Sequence, residues 1–88
     1  MNSMNINPDY TLHQVADEHI ILLQGDENNR VVSLNPTSVY LWEQLQDRTF
    51  TEKDVTELLT ARFDVDEAQA ARDARKWIRQ LQDLGIIL

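Results

Sequence analysis

The stretch Val31-Val32-Ser33-Leu34-Asn35-Pro36-Thr37-Ser38-Val39-Tyr40-Leu41-Trp42 decides the fold, because the spacing of its apolar residues changes at Asn35. Before that point, Arg30-Val31-Val32-Ser33-Leu34 is a short β-branched and aliphatic run, which favours a strand. Beyond it, Asn35 can accept a hydrogen bond from a free helix N–H, and Pro36 suits a first helical position. Val39, Trp42 and Leu45, flanked by Tyr40 and Leu41, then recur at helical spacing through about Gln46.

Working outward toward the N-terminus, Gly25-Asp26-Glu27-Asn28-Asn29 is a cluster of turn residues, and His19–Leu23 before it reads as a strand. Asp17-Glu18 makes a polar break, preceded by a partly alternating strand from Tyr10 to Val15 that slips or ends near Gln14. Residues 1–9, rich in Asn, read as a flexible lead-in to a single domain over residues 10–88. Toward the C-terminus, Asp47-Arg48 ends the first helix, and Thr51-Glu52-Lys53-Asp54 resembles a capping box with Asp replacing the usual Glu or Gln. Val55, Leu58 and Leu59 carry a second helix to about Arg62. Asp66 caps a third and longest helix, whose apolar stripe is Ala70, Ala71, Ala74, Trp77, Ile78, Leu81 and Leu84. Gly85 stands where a helix-ending glycine belongs, and Ile86 can pack back on the last turn. The order β-β-β-α-α-α predicts an α+β, winged-helix-like domain in which three helices cover one face of a three-stranded antiparallel sheet.

Composition narrows the function. The chain has 88 residues, with 8 Lys and Arg against 15 Asp and Glu, a net charge of −7. Such a chain repels a phosphate backbone unless its cations are clustered, which disfavours nucleic acid as a partner. Cysteine is absent, removing disulfides, thiolate metal sites and thiol nucleophiles. The longest apolar run, Ile20–Leu23, is far too short to span a membrane, and Met1–Pro8 does not resemble a signal peptide, so a cytoplasmic location is expected.

Chemistry-bearing patterns are missing as well. There is no phosphate loop, nucleophile elbow or zinc-binding His pair, the carboxylates are dispersed, and His13 and His19 read as ordinary strand residues. Neither an enzymatic activity nor a cofactor is expected. Two features remain. The third predicted strand has no proline and one charge, Arg30, so an edge position would leave it open to an added strand. Arg72, Arg75, Lys76 and Arg79 also put half of all basic residues into eight positions of the third helix. They make either a solvated helix face or a local positive surface for an acidic partner. Trp42 and Trp77 read as core or groove-wall side chains.

Taken together, Leu34-Asn35-Pro36-Thr37 with Leu41-Trp42, Phe63-Asp64-Val65-Asp66, and Asp73…Trp77-Ile78…Leu81…Leu84-Gly85-Ile86 resemble the PqqD-like family in order and spacing. Two positions depart from its pattern: Ala74 stands for the usual Val and Trp77 for the usual Phe. The resemblance implies a peptide-recognition domain for ribosomally made, post-translationally modified peptides. Such a domain binds the leader of a precursor peptide and presents the remainder to a modifying enzyme, often a radical S-adenosylmethionine enzyme. Carried onto this chain, the leader would add to Arg30, Val31, Val32, Ser33 and Leu34, through main-chain bonds from Val31 and Ser33, or from Val32 with a shifted register. Arg72, Arg75, Lys76, Trp77 and Arg79 on the third helix would form the other wall. The alternatives are a winged-helix nucleic-acid binder with that helix in the major groove, and a structural subunit bound to its enzyme.

Overall fold

The computed structural model describes residues 3–23 and 31–88. Its elements are β1 (Met4–Asn5), β2 (Tyr10–Val15), β3 (Glu18–Leu23), β4 (Val31–Leu34), α1 (Pro36–Leu45), β5 (Thr49–Phe50), α2 (Glu52–Arg62) and α3 (Glu67–Asp83). The main sheet is antiparallel in the order β2-β3-β4, and the three helices follow it as the change of spacing at Asn35 predicts. The expected turn at Gly25–Asn29 lies outside the described residues.

Local chemistry accounts for the element boundaries. The Ser38 N–H donates to Asn35 Oδ1 at 2.8 Å, so the predicted cap opens α1. At α2 the capping box is complete: the Asp54 N–H donates to Thr51 Oγ1 at 3.3 Å and the Thr51 N–H donates to Asp54 Oδ2 at 2.9 Å. Asp66 caps α3 by accepting from the Gln69 N–H at 2.7 Å. Gly85 ends α3 with φ +76°; its N–H donates to the Gln82 carbonyl, while the Ile86 N–H reaches back to the Leu81 carbonyl at 2.8 Å. This double bond pattern needs a left-handed residue, which glycine adopts without strain. Ile86 is then turned fully inside.

Alternation along the strands aims Ile21, with Leu12, Val32 and Leu34, at a core closed by Leu41, Trp42, Leu45, Phe50, Val55, Leu59, Ala74, Ile78 and Leu81. The strand expected to falter near Gln14 runs on to Val15, where Ala16 takes φ 55° in a two-residue turn and Glu18 already belongs to β3.

One expectation is corrected. Part of the lead-in is built into the fold: Met4 and Asn5 pair with Phe50 and Thr49, while Ile6 bridges Ile87 on the other side. The Asn5 and Leu88 main chains exchange hydrogen bonds, and the Asn7 N–H donates to the Ile86 carbonyl at 2.7 Å. Met4 and Ile6 are both 9% exposed and belong to the core. The segment has few strand-forming residues, and its order comes from partners at both its flanks. No helix among the described residues is long and apolar enough to cross a membrane.

Candidate peptide-binding site

Among the described residues β4 pairs only with β3, so its other side is an open sheet edge. Which residues present main-chain groups there follows from the β2–β3 turn. Val15 and Glu18 face each other across two residues, and such a tight turn closes on a hydrogen-bonded pair. Hydrogen-bonded and non-bonded pairs then alternate along the ladder, without a bulge. In β3, therefore, Glu18, Ile20 and Leu22 turn their N–H and C=O groups to β2, whereas His19 and Ile21 turn theirs to β4. Their partners Leu34 and Val32 bond inward. Val31 and Ser33 are left with both main-chain groups pointing out of the sheet. Of the two sets of residues that the sequence left open, Val31 and Ser33 are the ones whose main-chain groups face outward. The Ser33 side chain is exposed, while Val32 and Leu34 pack against the core. Arg30 lies outside the described residues.

Among the described residues the sheet has a second open edge at β2, which sequence reading did not single out. By the same alternation Leu12 and Gln14 point their main-chain groups outward there, while the Tyr10 N–H is used by the Asn7 carbonyl at 3.1 Å. A groove of about 970 Å³ runs beside this edge, bounded by Tyr10, Leu12, Trp42, Gln46, Asp47 and Thr49. No sequence signal marks it, because α1 and β2 are brought together only by the fold.

The predicted residues of α3 do not all face one way. Trp77 is 9% exposed, and its Nε1–H donates to Ser38 Oγ at 3.1 Å. Ser38 is itself buried, so this bond satisfies two polar groups that would otherwise be costly inside. Asn35 alone separates β4 from α1, so the Trp77–Ser38 contact ties the middle of α3 to the C-terminal end of β4. On the opposite border of the buried stripe, Ile78 lines a hollow with Met4, Thr51 and Glu52, and Arg75 pairs with Glu52 at 3.2 Å. That border faces α2 and β1.

At about 100° per residue, Asp73, Gln80 and Lys76 follow Trp77 on the side away from α2, whereas Arg72, Arg75 and Arg79 lie roughly 140–160° from Trp77 on the back of the helix. All four cations are exposed. The structure brings Trp77 to the end of β4, leaves Lys76 at the margin and directs the three arginines elsewhere. Asp73 and Gln80 flank Trp77 on that side of the helix, and the sequence reading did not single them out as candidates.

Among the described residues no group of three or more His, Asp and Glu is close enough to hold a metal ion. His13 shares a hydrogen bond with Thr11 Oγ1 at 2.8 Å on the solvent face of β2, on the opposite face of the sheet from His19.

Comparison with solved structures finds this fold in TbiB1 in complex with the TbiA(beta) leader peptide, at a TM-score of 0.76 and 18% identity, covering 94% of this chain and 93% of that one. It also occurs in lasso peptide synthetase B1 complexed with the leader peptide, at a TM-score of 0.76 and 22% identity, covering 97% and 96%. At such identities the likeness is one of fold. Comparison with curated protein sequences finds no match. The family model for coenzyme PQQ synthesis protein D (PqqD) matches residues 18–87, from the start of β3 to the residue that bridges Ile6. The chain thus belongs to the PqqD family.

Proposed function

We propose that this protein is a non-catalytic adaptor that captures the leader of a ribosomally made precursor peptide as an added strand on β4 and presents the remainder to a separate modifying enzyme. The observation that carries the reading is the outward pair of main-chain donors and acceptors at Val31 and Ser33 on an open edge. It stands in a fold shared with two proteins bound to leader peptides. Main-chain bonding of this kind tolerates many sequences, and specificity comes from the side chains that flank it. In this reading the flanking wall is the Trp77 border of α3, which carries Asp73 and Gln80, with Lys76 at its margin. Leader ordering on binding offsets part of the interaction energy, so affinity in the micromolar range is expected. A radical S-adenosylmethionine enzyme is the partner class that the family resemblance brings.

The open β2 edge beside its groove supports a second reading, in which the peptide adds to β2. Titrating the labelled protein with the leader encoded beside its gene separates the two. The first reading requires the largest amide shifts at Val31 and Ser33, whereas shifts centred on Leu12 and Gln14 assign the peptide to β2. If neither edge responds, strand addition is wrong.

A further inference from the structure

The back of α3 carries three exposed arginines outside the strand-addition site, with Lys76 between them and the Trp77 border. Arg72, Arg75, Lys76 and Arg79 are spaced so that Arg72–Arg75, Arg72–Lys76, Arg75–Arg79 and Lys76–Arg79 are all helical neighbours of like charge. Neighbours of like sign three or four residues apart destabilise a helix. A face whose only role was to be solvated would gain from alternating signs, and the chain has 15 acidic residues to supply them. Nor do these cations offset the helix dipole, because that effect is confined to the last turn and the last turn of α3 has no basic residue.

Among the described residues Arg75 alone of the four forms an ion pair, with Glu52, and its side chain is still 62% exposed. Arg72 donates to the neutral Gln69 amide, and among the described residues Lys76 and Arg79 have no acidic partner within salt-bridge distance. The four line a shallow hollow of about 280 Å³ with Gln80 and Asp83.

From this face, its charge and its distance around the helix from Trp77, we propose that the Arg72–Arg79 surface of α3 docks an acidic surface of the modifying enzyme, independently of the leader. The inference rests on the adaptor reading given above. A leader strand on β4 lies on the Trp77 border, so two partners can be held at once on opposite sides of one helix. Complementary charge suits a contact that must form quickly and release between turnovers, since it raises the encounter rate more than the lifetime. A nucleic acid is the less favoured occupant, because the rest of the chain is strongly acidic and would face the phosphates.

The test measures binding of the purified modifying enzyme encoded beside the gene, and separately of the leader peptide, to the full chain and two variants. The doubly reversed Arg72→Glu/Arg79→Glu protein is expected to bind the enzyme at least about tenfold more weakly while its leader affinity stays within about twofold. Ser33→Pro is expected to do the reverse. Wild-type enzyme binding should weaken steeply between about 50 and about 300 mM salt. Both altered side chains are exposed, and circular dichroism checks folding; the neutral Arg72→Gln/Arg79→Gln protein repeats the measurement with a milder change. The proposal is overturned if enzyme binding survives reversal, if leader affinity falls as far as enzyme affinity, or if the wild type instead retains duplex DNA in a way the reversed variant loses. Loss of the adaptor reading alone has a different signature: Ser33→Pro leaves leader affinity unchanged while charge reversal still releases the enzyme.

Discussion

Proline substitutions at two adjacent positions of β4 are expected to have opposite effects. In Ser33→Pro the lost N–H points out of the sheet and the side chain is exposed, so the ladder to β3 keeps all its bonds. Proline is tolerated on edge strands in that orientation, and folding stability should change by no more than about 1 kcal/mol. The leader, however, loses a donor worth about 1 kcal/mol, and the ring holds it off the neighbouring main-chain pair for roughly another 1 kcal/mol. Together these weaken binding about 30-fold. In Val32→Pro the lost N–H is the one given to Ile21, whose side chain is fully buried. The unpartnered carbonyl costs about 1–3 kcal/mol, and for a domain of this size each kcal/mol lowers the melting temperature by about 4–8 °C. Calorimetric titration with the leader and thermal melts by circular dichroism read the two effects separately. A destabilised Ser33→Pro beside a stable Val32→Pro would invert the assigned alternation and refute the reasoning from the β2–β3 turn.

Three further outcomes follow from the packing. Trp77→Phe, which installs the residue typical of the family pattern, strands the buried Ser38 hydroxyl and should cost about 1–2 kcal/mol, whereas adding Ser38→Ala recovers much of it; denaturant melts of the double-mutant cycle measure the coupling. Ile6→Ala should cost about 2–4 kcal/mol in the same assay, a loss that a loose lead-in would not produce. Gly85→Ala should cost about 1–2 kcal/mol, entirely from its φ of +76°, since the added methyl would meet nothing nearer than Tyr10 Oη at 4.0 Å. A loss much above that range would show that space, not conformation, holds the glycine.

The three strands of the main sheet and the three helices were legible in the sequence because their signals are local, whereas β1 and β5 were not. Asn35, Thr51 with Asp54, Asp66 and Gly85 each act within a few residues of themselves, and each caps or ends a helix in the structure as its neighbours in sequence imply. The order β-β-β-α-α-α, the location of an unprotected strand before Asn35 and the concentration of cations on the third helix were visible for the same reason. Membership of the PqqD family rests on the match of the family model to residues 18–87, and the motifs that suggested it lie between Leu34 and Ile86.

What only the tertiary structure decided depends on partners far apart in sequence. Met4–Ile6 has few strand-forming residues, and it becomes a strand because Phe50 and Ile87 meet it from opposite sides. The outward direction of Val31 and Ser33 is inherited from the hairpin at Ala16, through a ladder of two strand pairs. The rotation of α3 comes from Trp77 reaching Ser38 and from Ile78 packing toward α2, and it turns the three arginines to the back of the helix, with Lys76 between them and the Trp77 border. Sequence alone determined that this chain has a strand without edge protection and a basic helix, and the sheet order put that strand at an edge. Long-range contacts decided which atoms of the strand are free and which way the basic face points.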